Sequence, residues 1–182
     1  MARSALPDGE TAMHRLRPAI EATARMAQSE EYMKHVANLG PWSRELAAHM
    51  SEGDRASMLV PAAFDGAEGT REGKPANGWV LTLQDRAVFV WWTGLIRIKD
   101  YDAVVPYASI TSTERDWKPA TTFCVTLPLL RVHAEQTWTI EFPNCFGAEA
   151  LVPHFHLPGV MAGAITFEFE DEDPSPGQDP TT

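Results

Sequence analysis

Apolar and polar residues alternate most regularly in the stretch 77–112, NGWVLTLQDRAVFVWWTGLIRIKDYDAVVPYASITS. Trp79, Leu81 and Leu83 recur at every second position with Val80, Thr82 and Gln84 between them, which is the period of a half-buried strand. Gln84-Asp85-Arg86 is polar and supplies a turn, although it lacks the glycine of the strongest hairpin signals. Residues 87–92 then run apolar on both faces, with Phe89 and Trp91 pointing one way and Val88, Val90 and Trp92 the other. A strand of that kind is central and covered on both sides, or it keeps one face for a partner. Thr93-Gly94 breaks the run, and residues 103–110 resume it as a third strand in which Pro106 removes one ladder donor.

Upstream, the apolar spacing changes from two to nearly four. Residues 1–11 read as a flexible leader. Pro18 suits a first helical turn, and Ile20, Ala24 and Ala27 follow on one helical face, continued by Met33 and Val36. Gly40-Pro41 ends that helix, and Ser43 caps a second one carrying Leu46, Ala47 and Met50 as far as Gly53. Ala56, Met58, Val60, Ala62 and Phe64 alternate as a first strand, which Pro61 places at or near an edge. Residues 65–76, with three glycines and mixed charge, form a loop.

Downstream of Ile110, residues 113–119 read as a polar turn carrying Trp117. Residues 122–127 form a strand, 128–136 a connection, and 137–142 a strand with Trp138, Ile140 and Phe142 on one face. Pro143-Asn144 ends it. A short helix over 147–152 is truncated by Pro153 and Pro158. Ile165, Phe167 and Phe169 then alternate as a further strand before an acidic, proline-bearing tail that reads as disordered.

The strand pair and the strand after it resemble the bacterial pleckstrin-homology-like group related to GRAM domains. The matching positions are Leu81, Thr82, Asp85, Arg86, Val88, Phe89 and Val90, then Val105, Pro106, Tyr107 and Ile110. About a third of the chain matches well and about half loosely, and the motifs are structural rather than catalytic. The resemblance implies an α+β domain: a PH-like, strongly bent antiparallel β-barrel or sandwich of six or seven strands over residues 56–171. Two N-terminal helices within residues 1–55 pack on it, a short C-terminal helix closes it, and a disordered acidic tail occupies 172–182.

Composition narrows the functional classes. Of 182 residues, 44% are hydrophobic and 22% charged, ordinary values for one globular domain. The formal net charge is -10, and six acids with no base fall in residues 163–182, so only -4 belongs to the rest. Such a surface repels phosphate backbones and anionic lipid, which argues against nucleic acid and against unspecific membrane binding. Cys124 and Cys145 belong to no CxxC pair and read as reduced thiols of a cytoplasmic protein. The N-terminus lacks the apolar run of a secretory signal, and no apolar segment approaches the roughly 20 residues of a spanning helix.

No constellation for bond-making emerges, so neither catalytic residues nor a metal or cofactor are expected. His154 and His156 form an HxH pair that His133 could join, yet zinc needs three or four ligands on rigid elements. His14, His35 and His49 fall on the helical arm as surface residues. There is no GxSxG elbow, GxGxxG or P-loop, and Cys124 is a small hydrophobe in mid-strand. Trp91 and Trp92 are the surplus: they face opposite ways, so the N-terminal helices cover one of them or it stays exposed as an anchor for a partner. The leading expectation is therefore a non-enzymatic binding or scaffolding module acting through protein contacts or self-association. The alternative is a peripheral lipid-headgroup site using Arg71, Lys74, Arg97, Lys99 and Arg131. A third reading, a small-molecule or enzymatic pocket between helices and sheet, requires a sizeable cavity lined by His or carboxylate groups.

Overall fold

The alternation described for 77–112 becomes three consecutive antiparallel strands, β2 (Ala76–Thr82), β3 (Arg86–Thr93) and β4 (Lys99–Pro106). They belong to a computed structural model that describes residues 6–27, 29–40, 42–71, 74–94, 98–119, 126–143, 151 and 155. Ahead of them stand three helices, α1 (Gly9–Met26), α2 (Ser29–Ala37) and α3 (Trp42–Ala48), and the strand β1 (Met58–Asp65). Behind them come a 3-10 turn (Tyr107–Ser109) and the strands β5 (Ser112–Pro119), β6 (Thr126–His133) and β7 (Thr137–Glu141). The seven strands form one antiparallel sheet in the order β4-β3-β2-β1-β7-β6-β5. The fold is α+β.

That order places β4 and β5, neighbours in sequence, at opposite ends of the sheet. A flat sheet with six strand gaps would hold its outer strands about 29 Å apart. The five residues between β4 and β5 span at most about 20 Å, so the sheet has to curl. It curls around an apolar core that takes Val60, Val80, Phe89, Val105, Leu130, Trp138 and Ile140 from successive strands, with Tyr107, Leu151 and Phe155 closing one end. Curling is not closure. Among the described residues β4 and β5 do not pair, so the sheet is open rather than a barrel.

The convex face carries the helices. Leu16, Ile20, Tyr32, Val36, Trp42 and Leu46 pack on Leu59, Trp79, Leu81, Val88 and Val90. Strand β3 is thereby covered on both sides, Phe89 and Trp91 in one core and Val88 and Val90 in the other. The helices also bond to the backbone of β1. The Leu59 amide donates to Thr23 Oγ1 at 2.9 Å, and the Tyr32 hydroxyl donates to the Leu59 carbonyl at 2.8 Å.

Several local expectations change. The leader ends earlier than residue 11, because Asp8 caps α1 by accepting from the Thr11 amide at 2.8 Å. Pro18 therefore lies inside α1 rather than in its first turn. It is exposed, so the carbonyl it orphans faces water, while the buried stripe of Ala12, Leu16, Ala19 and Ile20 holds the helix in place. Met33 and Val36 belong to a separate helix, which makes three helices rather than two. Ser43 sits within α3, its hydroxyl donating to the Gly40 carbonyl at 2.8 Å.

Residues 113–119 are not a turn but most of β5, and β6 runs through the segment read as a connection. The strand is polar because its outer side chains meet water and charge: Arg131 of β6 reaches Asp116 at 3.0 Å and Glu114 at 3.7 Å. His49 is not a surface residue. It is largely covered, with Nε2 at 3.2 Å from the Asp102 carboxylate. Cys124, Cys145, His154, His156, most of the 147–152 helix, the strand at 165–169 and the acidic tail lie outside the described residues.

Tyr107 gives the fold a defined alkaline response. Its hydroxyl donates to the Leu83 carbonyl at 3.0 Å. Burial, reinforced by the charge of Asp85, pushes the phenol far above its ordinary 10.0. A raised folded-state pKa contributes stability that is complete below pH 10 and is lost as pH rises toward the folded value. Above pH 10 this group alone removes about 1.4 kcal/mol per pH unit. Urea unfolding of Tyr107→Phe at pH 9 and pH 11 is expected to show a shallower decline than the unaltered chain; equal declines would exclude Tyr107 as the source.

Candidate functional site

Alternation along β1 aims the backbone groups of Leu59, Pro61 and Ala63 toward the same neighbour, away from the β2 side. Each meets something different. Leu59 is satisfied by the helices, Pro61 has no N–H to offer, and at Ala63 the ladder with β7 begins, opposite Glu141. Pro61 therefore marks a local edge inside a central strand, since within β1 the ladder to β7 takes in Ala63, Phe64 and Asp65 and stops short of Pro61. Where β7 has parted from β1, a cleft of about 380 Å³ opens.

The convex face of the sheet forms its floor, with Pro61, Ala63, Trp79 and Trp92. His35 and Asn38 near the C-terminal end of α2 form one wall, and Glu141, Phe142 and Pro143 form the other. The Trp92 indole is half-buried and stacks on Trp42 of α3, with centroids 4.2 Å apart and planes 6° from parallel. That stack fixes one ring face and leaves the aromatic platform rigid. Asn77 stands exposed at the lip, and Glu141 is buried. Most of the lining is apolar, with a few polar groups placed around it, the usual constitution of a small binding pocket.

Of the two tryptophans singled out in the sequence, Trp92 contributes to this cleft. Trp91 does not: it lies in the concave core against Phe64, Tyr101 and Trp138, and its Nε1 donates to the Glu68 carbonyl at 2.9 Å. The residues proposed for lipid headgroups are spread over several elements. Arg71 and Lys74 are exposed in the β1–β2 loop, where the Lys74 amide donates to the Arg71 carbonyl at 2.9 Å in an isolated backbone bridge. Lys99 is exposed at the start of β4, with Nζ 4.6 Å above the Tyr101 ring, while Arg97 lies outside the described residues. Arg131 is engaged by Glu114 and Asp116 on the convex face.

A second hollow of about 370 Å³ opens at the loop end of the concave face, between Asp65, Glu68, Gln136 and Thr137. Among the described residues, no group of three or more His, Cys, Asp or Glu side chains is placed to hold a metal ion, and no helix is long and apolar enough to cross a membrane.

Comparison with known proteins gives distant likenesses only. No family model and no curated protein matches the chain. Among solved structures, the hSac2 domain from human phosphoinositide phosphatase Sac2 aligns with a TM-score of 0.47 at 9% identity, covering 82% of this chain and 98% of that one. The N-terminally truncated linker-DH/PH domains of p115-RhoGEF align with a TM-score of 0.36 at 13% identity, covering 87% of this chain and 42% of that one. At such values these likenesses define no family.

Proposed function

We propose that the chain is a non-enzymatic, pleckstrin-homology-like binding module that holds a protein partner at the cleft between its helices and its sheet. The PH-like assignment is supported by the strand-pair motif around Asp85 and Arg86 and by a meander that wraps one apolar core. The observation that carries the binding role is the Trp92 platform. The Trp92 indole, backed by its stack on buried Trp42, lines a cleft that the β1–β7 ladder leaves open, and rigid aromatic groups in such settings are enriched among the residues that carry binding energy at protein interfaces.

The test is affinity capture from a lysate of the source organism on the immobilised chain, with Trp92→Ala and Asn77→Arg as controls. Trp92→Ala is expected to weaken retention of the partner by roughly tenfold or more. Asn77→Arg, on an exposed position at the lip, is expected to weaken it without loss of stability. Retention unchanged by both would remove the cleft from the interaction. Co-sedimentation with anionic vesicles examines the lipid alternative, and little binding is expected because Arg131 already serves two carboxylates. The cleft with His35 and Glu141 on its walls also fits a small-molecule pocket, which thermal-shift screening with metabolite mixtures would reveal.

A further inference from the structure

The helix layer meets the outermost strand through a titratable pair. His49 follows α3 directly, and its side chain is only 11% exposed. Its Nε2 lies 3.2 Å from the Asp102 carboxylate, a side chain about a third exposed. Asp102 stands on β4, in register with Val90 on the face that the helices cover. The contact therefore passes over β3 and joins the end of α3 to a strand at the rim of the sheet. Charges reach this place from several elements. Glu45 stands one helical turn earlier on α3, and Asp100 shares the convex face of β4 two residues before Asp102. Arg86 of β3 donates to the His49 carbonyl at 3.1 Å, with its own charge met by Asp54 and Asp85. Arg15 of α1 donates to the next carbonyl, that of Met50, at 3.3 Å. Five carboxylates (Glu45, Asp54, Asp85, Asp100 and Asp102) thus stand against two guanidiniums, a surplus that favours the charged form of an imidazole.

We propose that His49 and Asp102 form a pH-sensitive latch between α3 and β4, engaged while the imidazole is protonated and weakened when it gives up its proton. Histidine is the side chain whose ordinary charge change falls between pH 5 and 8, a range in which an aspartate stays ionised. A carboxylate beside the ring makes the folded chain hold the proton more firmly than the unfolded one. The latch therefore contributes fully below the ordinary imidazole range and is lost as pH rises through the folded-state midpoint. Because Asp102 keeps some contact with water, the contribution is that of a partly screened pair, modest in size. α3 also carries Trp42, the indole that backs Trp92, so the same proton bears on how firmly the platform of the cleft is held.

A double-mutant cycle of His49→Gln, Asp102→Asn and the two combined, read by urea unfolding of the full chain at pH 5.5 and pH 8, tests this. At pH 5.5 the two residues are expected to couple by about threefold in the folding equilibrium constant, and at pH 8 to act nearly independently. Proton NMR supplies a second readout that needs only the exposed substitution on β4. The imidazole resonance absent from His49→Gln is expected to titrate at lower pH in Asp102→Asn than in the unaltered chain. Coupling of equal size at both pH values would overturn the latch, as would a titration midpoint that Asp102→Asn leaves in place. Neither readout involves an occupant of the cleft, so the latch and the binding-module reading stand or fall separately.

Discussion

Replacing Arg86 with methionine lowers the folding stability by about 3 kcal/mol, a drop of about 6–12 °C in Tm for a chain of this size. The guanidinium is buried, its side chain only 9% exposed, and it bonds to Asp85 of the β2–β3 turn, to Asp54, and to the His49 carbonyl at 3.1 Å. Asp54 also accepts from the Ser51 amide at 2.7 Å, so the segment between α3 and β1 is drawn onto the hairpin turn through this one side chain. Burial works against the charge, but the two carboxylates outweigh it and hold the pKa above the usual arginine value. Methionine fills much of the volume and leaves Asp54 without its counter-charge. The cost arises from that stranded carboxylate, so adding Asp54→Asn to Arg86→Met should recover a good part of it. Urea denaturation of the two variants decides the matter: a loss below 1 kcal/mol for Arg86→Met, or no recovery in the double variant, would show that the cluster does not clamp the helices.

Gly78→Ala is expected to be at least as damaging, for a steric reason. Gly78 lies in β2, paired with Trp91 in β3 and Ala62 in β1, with no room above it. An added Cβ would press on the Val90 carbonyl oxygen and stand 2.7 Å from the Phe64 ring and 2.9 Å from the Trp91 Cα. Two of these obstacles are backbone in a central strand and cannot swing aside. A loss of about 3 kcal/mol follows, together with a weakened cleft, since Gly78 also lines it. Stability close to that of the unaltered chain would mean that the strands part more easily than their packing implies.

The parts of the fold legible in the sequence are those where one periodicity dominates. Trp79-Leu81-Leu83 and the doubly apolar β3 could be read because burial on a sheet leaves its mark at every second residue. β5 was illegible for the converse reason: its outer side chains are charged and partnered across the strand, so STERDW resembles a turn until Arg131 is placed opposite. Pro18 misled because a capping Asp8 several residues earlier outweighs the ordinary preference of proline for a first turn. The cleft lay beyond reach, although one sign of it was visible. Pro61 was read as placing β1 at or near an edge, but β1 is the middle of the seven strands, and its proline is tolerated because β7 pairs with β1 only from Ala63 onward. Trp92 stood out as surplus; His35, Asn77 and Glu141 did not, because they come from three separate elements and meet only through register. Arg86 belonged to a recognisable motif, yet nothing local reveals that its partner Asp54 comes from the opposite side of β1.

Among the described residues the open sheet has two rims, and open rims invite the docking of other chains strand against strand. Here each rim is guarded. Lys99, Asp100 and Asp102 stud one, and Glu114, Arg115 and Asp116 stud the other, all of them exposed. Two copies meeting at either rim must desolvate or oppose those charges before a single backbone bond forms between them, so the architecture that leaves its ladder unfinished also resists extending it into fibrils.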